Sequence, residues 1–336
     1  MNRKQVALVA DIHLGIHSSN RSLWNSIALN WAEWLSNQLV EKQINKLWIA
    51  GDLFHVREEI NVEILNLSFE VLGKFISKGI QLLIIPGNHD SYYKDHAKVN
   101  SLVVFKNKEG IRVIDEVTSE NFYGKTVSFV PWGTLLNDIP ITDIMVCHYD
   151  INGFKMSGNK VQEHGYTPMD LLGRSKSILT GHYHQKQYIE FSKGSVRYLG
   201  SAFSLDHGDC ESTKGFYILD LETDQIEFFE NTISPRYVKV FTNNLSLTDV
   251  KGNFVKLVVD SDVSFEAINK ILIEITKEGS LSVITDDQRN IPVQLTQETN
   301  EIINISDHIC ETIETLDTPF KKELTAYTLE VYNRVK

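Results

Sequence analysis

Side chains that can bind metal ions follow five separate apolar segments of this 336-residue chain. Carboxylate, amide and imidazole groups are costly to bury without partners, so their placement beside buried segments indicates a shared ligand. Seven donors exceed what one ion takes, and mixed oxygen and imidazole donors suit Mn²⁺, Fe²⁺ or Zn²⁺. The sequence therefore predicts a site for two cations. The donors are Asp11, His13, Asp52, Asn88, His148, His182 and His184.

The charge of such a site indicates its substrate. Two divalent cations and only two carboxylate ligands leave a residual charge of about +2 by simple counting. A site with that charge attracts anions. Two metals about 3.5 to 4 Å apart also hold the attacking and leaving oxygens of an in-line phosphoryl displacement. Phosphate esters are therefore the expected substrate class.

These donors are expected at the ends of buried strands. The apolar run Gln81–Ile85 is typical of such a strand, and a Pro-Gly pair ends it just before Asn88. Carboxyl ends of neighbouring parallel strands lie at one edge of a sheet, so donors distant in sequence meet in space. Donors two residues apart, such as His182 and His184, both face one pocket if the backbone is extended.

The first part of the chain alternates predicted strands and helices, which favours parallel pairing with helical crossovers. Strands are predicted at residues 5–10, 46–50 and 81–85, and helices at 22–40 and 60–78. Later strands are predicted at 111–114, 126–130, 143–147, 177–180, 196–199, 215–221 and 225–230, the last three as antiparallel. The expected fold class is α/β, with a β-sandwich flanked by helices.

A domain boundary is predicted at Ser234-Pro235. Beyond it, an α+β unit is predicted from strands at 237–241, 254–259 and 280–285 and a helix at 264–276, with Ser264 as its N-cap. The last 30 residues are predicted to form two helices, 306–315 and 319–335, with Pro319 at a first helical position. The predicted division is 1–234, 235–300 and 301–336.

Composition limits the function classes. The net charge of −11 argues against a large basic surface for sequence-independent DNA binding, although bound cations and local patches escape such a count. One basic segment, Lys94 to Lys108, fits a solvated face and a DNA-contacting surface equally well. Three scattered cysteines argue against a disulfide framework, and no apolar run approaches a membrane span. A cytoplasmic protein with no membrane partner is expected.

The donors belong to motifs that resemble a known family. Their order is Asp11-x-His13, Gly51-Asp52-x-x-His55, Gly87-Asn88-His89-Asp90, His148 and Gly181-His182-x-His184. This order resembles the calcineurin-like metallophosphoesterase superfamily. Within the superfamily it is similar to the SbcD-type nuclease subunits of double-strand-break repair complexes, in particular those of bacteriophages. Supporting segments are Tyr198-Leu199-Gly200-Ser201, Lys214-Gly215-Phe216-Tyr217 and the run from His148 to Phe154.

The resemblance implies two Mn²⁺ ions, or Mg²⁺ in their place. It implies that Asp52 bridges the two ions. The other implied ligands are Asp11, His13 and His184 for the first ion, and Asn88, His148 and His182 for the second. His89 is implied as the catalytic histidine that contacts the phosphate and protonates the leaving oxygen. Asp90 is implied to orient His89, and His55 to position the scissile phosphate.

The resemblance also implies an activity and partners. The activity is 3′-to-5′ exonuclease action on duplex DNA and endonuclease action on single strands, together with an SbcC-type, SMC-like ATPase. The context is DNA end processing, replication, recombination and double-strand-break repair. Residues 1–234 would be the nuclease domain, 235–300 a DNA-contacting capping domain, and 301–336 the helical segment that binds the ATPase. A homodimer is expected.

Two other functions fit the same donors. A calcineurin-like phosphatase or small-molecule phosphodiesterase would use the same metal centre. His55, where phosphatases often carry Asp, and the C-terminal extension favour the nuclease. Arg57 resembles a phosphate-gripping arginine of phosphatases, but its spacing differs. A non-enzymatic scaffold that has lost its metals is the third hypothesis, and the complete donor set weighs against it.

Overall fold

The computed structural model describes residues 4–157, 160–210, 212–260, 262–287, 313 and 320–335. Its first third alternates strands and helices, as expected. The elements are β1 (Gln5–Val9), α1 (Arg21–Glu41), β2 (Lys46–Ala50), α2 (Val62–Ile76), β3 (Gln81–Ile85) and β4 (Ile111–Val113). The four strands pair in parallel in the order β1-β2-β3-β4, so their carboxyl ends share one edge.

The middle of the chain forms a second sheet. Its strands are β5 (Thr118–Phe122), β6 (Lys125–Val130), β7 (Thr142–His148), β10 (Ser175–Gly181), β11 (Gln187–Phe191) and β12 (Gly194–Tyr198). A small hairpin, β8 (Lys155–Ser157) with β9 (Lys160–Val161), and helix α3 (Pro168–Leu172) lie between β7 and β10 in the chain. The sheet order is β11-β12-β10-β7-β6-β5, and β6, β7, β10 and β12 are parallel to one another.

Strands β13 (Gly215–Asp220) and β14 (Ile226–Glu230) complete the first sheet, in which β13 pairs antiparallel with β1. The two sheets form the layers of a sandwich. Alternate residues of the first sheet, such as Leu8 and Trp48, pack against Phe129 and Val146 of the second. The intervening residues, such as Val9, pack against α1 and α2. Burial of both faces explains why these strands are continuous apolar runs. The predicted fold class is confirmed.

Helix α1 buries the stripe expected from its sequence. Trp24, Ile27, Ala28, Trp31 and Leu35 recur at helical spacing and are all buried in the core between α1, α2 and the first sheet. The indole of Trp31 packs edge-on against aromatic rings of α2 and of the loop after β12. The tryptophans of α1 therefore serve the core.

A smaller sheet follows residue 234, and we call residues 237–287 the cap. It contains β15 (Tyr237–Phe241), β16 (Phe254–Val259), α4 (Phe265–Lys277) and β17 (Ser282–Asp287), and all three strands are parallel. Ser264 caps α4, as predicted, by accepting a hydrogen bond from the backbone of Ala267. The ring of Phe254 stacks on Trp24 of α1 at 5.4 Å, so the cap packs against the sandwich.

The C-terminal residues are described in part. Helix α5 (Lys321–Val335) agrees with the predicted last helix, whereas the predicted helix 306–315, apart from residue 313, and Pro319 lie outside the described residues. Within the described part of the chain, no helix has the length and hydropathy of a membrane span.

Two details differ from the prediction. Residues 196–199 were expected in an antiparallel strand, but β12 runs parallel to β10 and is antiparallel only to β11. The hairpin β8–β9, strands β5 and β11 and helix α3 were not predicted at all. These elements are short or expose most of their side chains, so they lack the apolar periodicity that marks a core segment.

Candidate metal centre

All seven predicted donors lie together at one edge of the sandwich. Asp11 and His13 follow β1, Asp52 follows β2 and Asn88 follows β3, while His148 ends β7 and His182 and His184 follow β10. Because β1, β2 and β3 are neighbours in one sheet and β7 and β10 are neighbours in the other, these loops meet. Asp11 and His148 are completely buried, and Asp52 is 1% exposed.

The backbone at these donors is left-handed rather than extended. Asp11, His13, Asp52 and His182 have φ values of 54°, 51°, 56° and 97°. The extended backbone expected for donors two residues apart is therefore wrong at Asp11, His13 and His182. A left-handed L-residue costs roughly 1 to 2 kcal/mol, and such strain clusters at functional sites. Hydrogen bonds between the loops stabilise it, since Asp52 accepts two of them at its carbonyl, from the backbones of residues 12 and 13.

One half of the cluster contains Asp11, His13 and His184. The Nε2 atoms of the two histidines lie 3.2 Å apart. Both oxygens of Asp11 accept from the backbone N–H of His182, at 3.0 and 3.1 Å. Each of the three side chains in this half offers a ligand atom within 4.8 Å of the others. The donor set, one carboxylate and two imidazoles, fits a divalent transition metal.

The other half contains Asp52, Asn88, His148 and His182. Nδ1 of His148 lies 2.8 Å from the Ala50 carbonyl, so Nδ1 carries a proton and Nε2 is the nitrogen that would face a metal ion. That Nε2 faces the Asn88 oxygen at 3.0 Å and an Asp52 oxygen at 3.4 Å. The lone pairs of these three atoms would repel one another unless a proton on Nε2 or a metal ion lies among them. The geometry therefore favours bound positive charge.

Asp52 connects the two halves. Its Oδ2 lies 3.4 Å from Nε2 of His148 and 3.5 Å from Nε2 of His13, and its Oδ1 accepts from the His89 backbone at 2.8 Å. Two glycines leave room for the His148 ring and the Asp52 carboxylate to lie this close together. A Cβ atom at Gly51 would lie 2.2 Å from the His148 ring, and one at Gly87 would lie 2.2 Å from the Asp52 carboxylate.

The ionisation of these groups reflects burial and mutual attraction. Burial opposes charge on both Asp52 and His148. Their attraction nevertheless lowers the pKa of Asp52 and raises the pKa of His148 to about 9. Burial dominates elsewhere, because it raises the pKa of Asp11 to about 7 and lowers the pKa of His13.

Three further predicted residues lie beside the donors. His89 donates from Nδ1 to the His55 carbonyl at 2.6 Å, and the two rings stack at 5.4 Å. Nδ1 of His55 lies 3.2 Å from Nδ1 of His13, and burial lowers the pKa of His55 to about 4. Nε2 of His89 therefore remains available to a substrate.

The predicted role of Asp90 needs correction. Its carboxylate accepts hydrogen bonds from the backbones of Leu53, Phe54 and Gly87, at 3.2, 2.9 and 3.0 Å. The His55 carbonyl, rather than Asp90, holds the His89 ring. Asp90 is completely buried, and burial raises its pKa to about 7. It joins the loops after β2 and β3 and so positions the donors indirectly.

Sequence reasoning missed three residues that support the donors. Asp150 lies 2.6 Å from Nε2 of His182, which leaves Nδ1 of that ring to face the cluster. The buried Lys214 donates to the His184 carbonyl at 2.6 Å and to Asp209. The indole of Trp132 lies 5.4 Å from the His182 ring. Asp150, two residues after His148, and Lys214 both lie in segments that support the family resemblance, but neither segment indicated these contacts.

Comparison with known proteins agrees with this geometry. The sequence profile of the calcineurin-like phosphoesterase family matches residues 4–207, which is more than half of the chain. The chain belongs to the calcineurin-like phosphoesterase family. The predicted resemblance to this superfamily is confirmed, and the His/Asp cluster is a divalent-metal site of that family's kind. Lys214 and Asp209 lie beyond the matched residues.

Two curated relatives have names that fit this family. Exonuclease subunit 1 of Enterobacteria phage T4 is 29% identical over 269 residues, which cover 74% of this chain and 78% of the relative. The DNA double-strand break repair protein Mre11 of Nanoarchaeum equitans (strain Kin4-M) is 21% identical over 323 residues, which cover 81% and 86% of the two chains. The predicted enzyme class, a phosphodiester hydrolase, is confirmed.

Solved structures also match this chain. One of them comes from a study titled "Structural and Functional Characterization of a Novel Archaeal Phosphodiesterase", and it is 12% identical with a TM-score of 0.37. The match covers 68% of this chain and 99% of that one.

Proposed function

We propose that this phosphoesterase is a DNA nuclease that acts as a 3′-to-5′ exonuclease on duplex DNA and as an endonuclease on single strands. One observation carries the proposal: Nε2 of His13 and Nε2 of His148, one from each half, lie 3.5 and 3.4 Å from the same Asp52 oxygen, which suits a pair of cations rather than one. The relatives, named as an exonuclease subunit and a DNA double-strand break repair protein, supply the substrate class.

The donors divide between two ions. Asp11, His13 and His184 would hold the first ion and Asn88, His148 and His182 the second, with Asp52 shared. We propose Mn²⁺, with Mg²⁺ as a substitute, as the family resemblance implies, and the mixed imidazole and oxygen donors are compatible with Mn²⁺. When bound, two such ions act as Lewis acids and offset the charge that develops on the phosphoryl group.

His89 and His55 would act on the substrate. The His55 carbonyl fixes a proton on Nδ1 of His89, so Nε2 is the nitrogen that gains or gives up a proton. A histidine in this arrangement donates a proton to the leaving oxygen as a general acid. His55, stacked on His89, would contact the scissile phosphate from the same side.

We also propose partners for the nuclease. Residues 301–336 would bind an SbcC-type ATPase, because Phe320, Leu324 and Tyr327 are exposed apolar residues at the spacing of one helix face. Residues 235–300 would contact DNA, and the protein would act as a homodimer in DNA end processing. A pull-down with the ATPase tests the first statement, since deletion of 301–336 should abolish binding. Full binding by the truncated chain would refute it.

The nuclease proposal is tested by incubating the protein with Mn²⁺ and end-labelled duplex DNA, beside p-nitrophenyl phosphate as a monoester control. We expect products shortened from the 3′ end and little release of nitrophenol. Rapid monoester turnover with intact DNA would contradict the nuclease.

Rapid monoester turnover with intact DNA would favour a phosphatase. One contact in the structure supports that alternative. Arg57 donates from Nε to the Asn88 carbonyl at 3.0 Å, so a guanidinium lies beside the donor cluster. An arginine so placed could also bind the extra charge of a phosphate monoester. Replacing Arg57 with Lys separates the two functions, because loss of bidentate contacts should harm monoester turnover more than DNA cleavage.

A further inference from the structure

A second charged cavity lies outside the metal centre. It has a volume of about 490 Å³, within the range of roughly 300 to 1,000 Å³ that is typical of ligand pockets. Four lysines line it, Lys155 and Lys186 from the sandwich and Lys239 and Lys256 from the cap. Among the described residues that line it, none is acidic. The cavity therefore attracts anions.

The two cap lysines are placed side by side. Lys239 on β15 is the register partner of Lys256 on β16, so two ammonium groups stand on adjacent strands. Like charges in neighbouring positions of a sheet are unfavourable. Asp286 on β17 binds Lys256 at 2.9 Å and offsets part of this repulsion.

Neutral hydrogen-bonding groups complete the lining. His207, Ser212 and Thr213 all line the cavity. Nδ1 of His207 is buried and has no hydrogen-bond partner among the described residues. Burial, followed by the charge of Lys256, lowers the pKa of His207 and so favours the neutral ring. These hydrogen-bonding groups suit the several oxygens of a phosphate better than the two oxygens of a carboxylate.

The cavity is connected to the metal centre through His184. Lys186 follows that donor by two residues, and its ammonium lies 3.8 Å from the centre of the Phe228 ring. Gln185, between them, also lines the cavity and donates from its side chain to the Gly208 carbonyl at 3.3 Å. The loop of residues 182–186 therefore contributes both metal donors and side chains of the cavity lining.

We propose that the cavity binds a backbone phosphate of the same DNA strand whose scissile phosphate lies at the metal centre. This inference rests on the proposed nuclease function and extends it, because it assigns one non-scissile phosphate to residues of both the sandwich and the cap. The cavity recognises the phosphodiester group and makes no contact that distinguishes one base from another.

A methylphosphonate scan tests the proposal. Each phosphate of a single-stranded oligonucleotide is replaced in turn by a neutral methylphosphonate, and binding is measured in Ca²⁺ to suppress cleavage. Wild-type protein should lose roughly three- to tenfold in affinity at one position away from the scissile phosphate. The double variant K239Q/K256Q should bind more weakly and lose sensitivity at that position only. K193Q removes an exposed lysine outside the cavity and should keep the wild-type profile.

Two further measurements make each outcome decisive. In a salt titration, K239Q/K256Q should reduce the slope of log K against log salt by about 0.7 for each single-strand phosphate that the protein no longer neutralises. Inorganic phosphate is titrated separately by ³¹P NMR. Phosphate binding that K239Q/K256Q abolishes, with an unchanged DNA profile, would assign the cavity to free phosphate and overturn the DNA inference. A scan without a sensitive position would also overturn it, whereas failure of wild-type protein to cleave DNA would instead refute the nuclease.

Discussion

The two halves of the metal centre are equally buried but electrostatically different. In the half around His13, burial raises the pKa of Asp11 to about 7 and lowers the pKa values of His13 and His184, so each group is biased towards its neutral form. In the half around His148, the pKa of Asp52 is lowered and that of His148 is raised to about 9, so the two form an ion pair.

The difference shows that a facing counter-charge decides how burial acts on a group. Asp11 accepts only one backbone N–H, that of His182, and has no buried cation in direct contact among the described residues. Asp52 faces both His148 and His13 within 3.5 Å. We therefore expect a metal ion to relieve a desolvation cost in the first half and to displace a proton from His148 in the second.

The largest effect is expected where the halves meet. Asp52→Asn removes the shared carboxylate charge and should weaken both ions, so DNA cleavage should fall by at least about 10³-fold, which corresponds to several kcal/mol of transition-state stabilisation. Cleavage rates and Mn²⁺ titration by calorimetry measure it. Asp95→Asn removes an exposed carboxylate and should change neither. Loss of only one ion would show that Asp52 is not shared.

The next largest effect is expected from a variant that loses catalysis but keeps the metal ions of both halves. His89→Ala should lower cleavage by about 10²-fold, because a general acid is lost, while two Mn²⁺ ions still bind. Single-turnover cleavage and calorimetry report the two quantities independently. His164→Ala, at an exposed histidine, is the matched control. A His89→Ala protein that fails to bind Mn²⁺ would make His89 a ligand rather than an acid.

A smaller effect should be confined to the first half. Lys214 fixes the His184 carbonyl, so Lys214→Met should weaken the first Mn²⁺ by about tenfold and leave the second unchanged. Lys214→Arg, which keeps a donor, should recover part of the affinity. If the buried ammonium acted only by repelling cations, Lys214→Met would instead tighten Mn²⁺ binding. Thermal unfolding of each variant checks that the fold is retained.

The smallest effect should be confined to the second half. The folded pKa of His148, about 9, exceeds the unfolded value of about 6.5. Its stabilisation is therefore complete below about pH 6.5 and is lost as the pH rises through 9. In EDTA, the free energy of unfolding should fall by on the order of 1 kcal/mol between about pH 8.5 and 10. Urea unfolding of wild type and His148→Gln measures this, and the variant should lack the decline. His13→Gln should keep this decline in the free energy of unfolding. If the decline were absent from both variants, the proposed electrostatic difference between the two halves would be wrong.

The strand ends of the first sheet were predictable because their sequences are unambiguous. The predicted bounds of β2, β3, β15 and β16 match those of the structure. Each of these runs, two in the first sheet and two in the cap, is mainly apolar, and β3 is followed directly by a Pro-Gly pair. Since the donors follow such runs, their convergence was predictable from parallel pairing alone.

The fine geometry of the site was not predictable. Left-handed φ values at Asp11 and His13 arise from hydrogen bonds to a neighbouring loop, and neither residue type signals them. The contact of Lys214 with the His184 carbonyl joins residues 30 apart through folded packing, so no local pattern encodes it. The same holds for Asp90, whose acceptor-only carboxylate can serve either a histidine or a set of backbone amides with the same sequence.

The aromatic contact between α1 and the cap provides an internal optical reporter. The Trp24 indole stacks within 4° of parallel on Phe254, and it also lies 4.5 Å from the His17 imidazole. A protonated imidazole quenches indole emission, and a stacked ring shifts its spectrum. Movement of the cap on DNA could therefore be followed by the fluorescence of a native side chain, once the other four tryptophans are replaced.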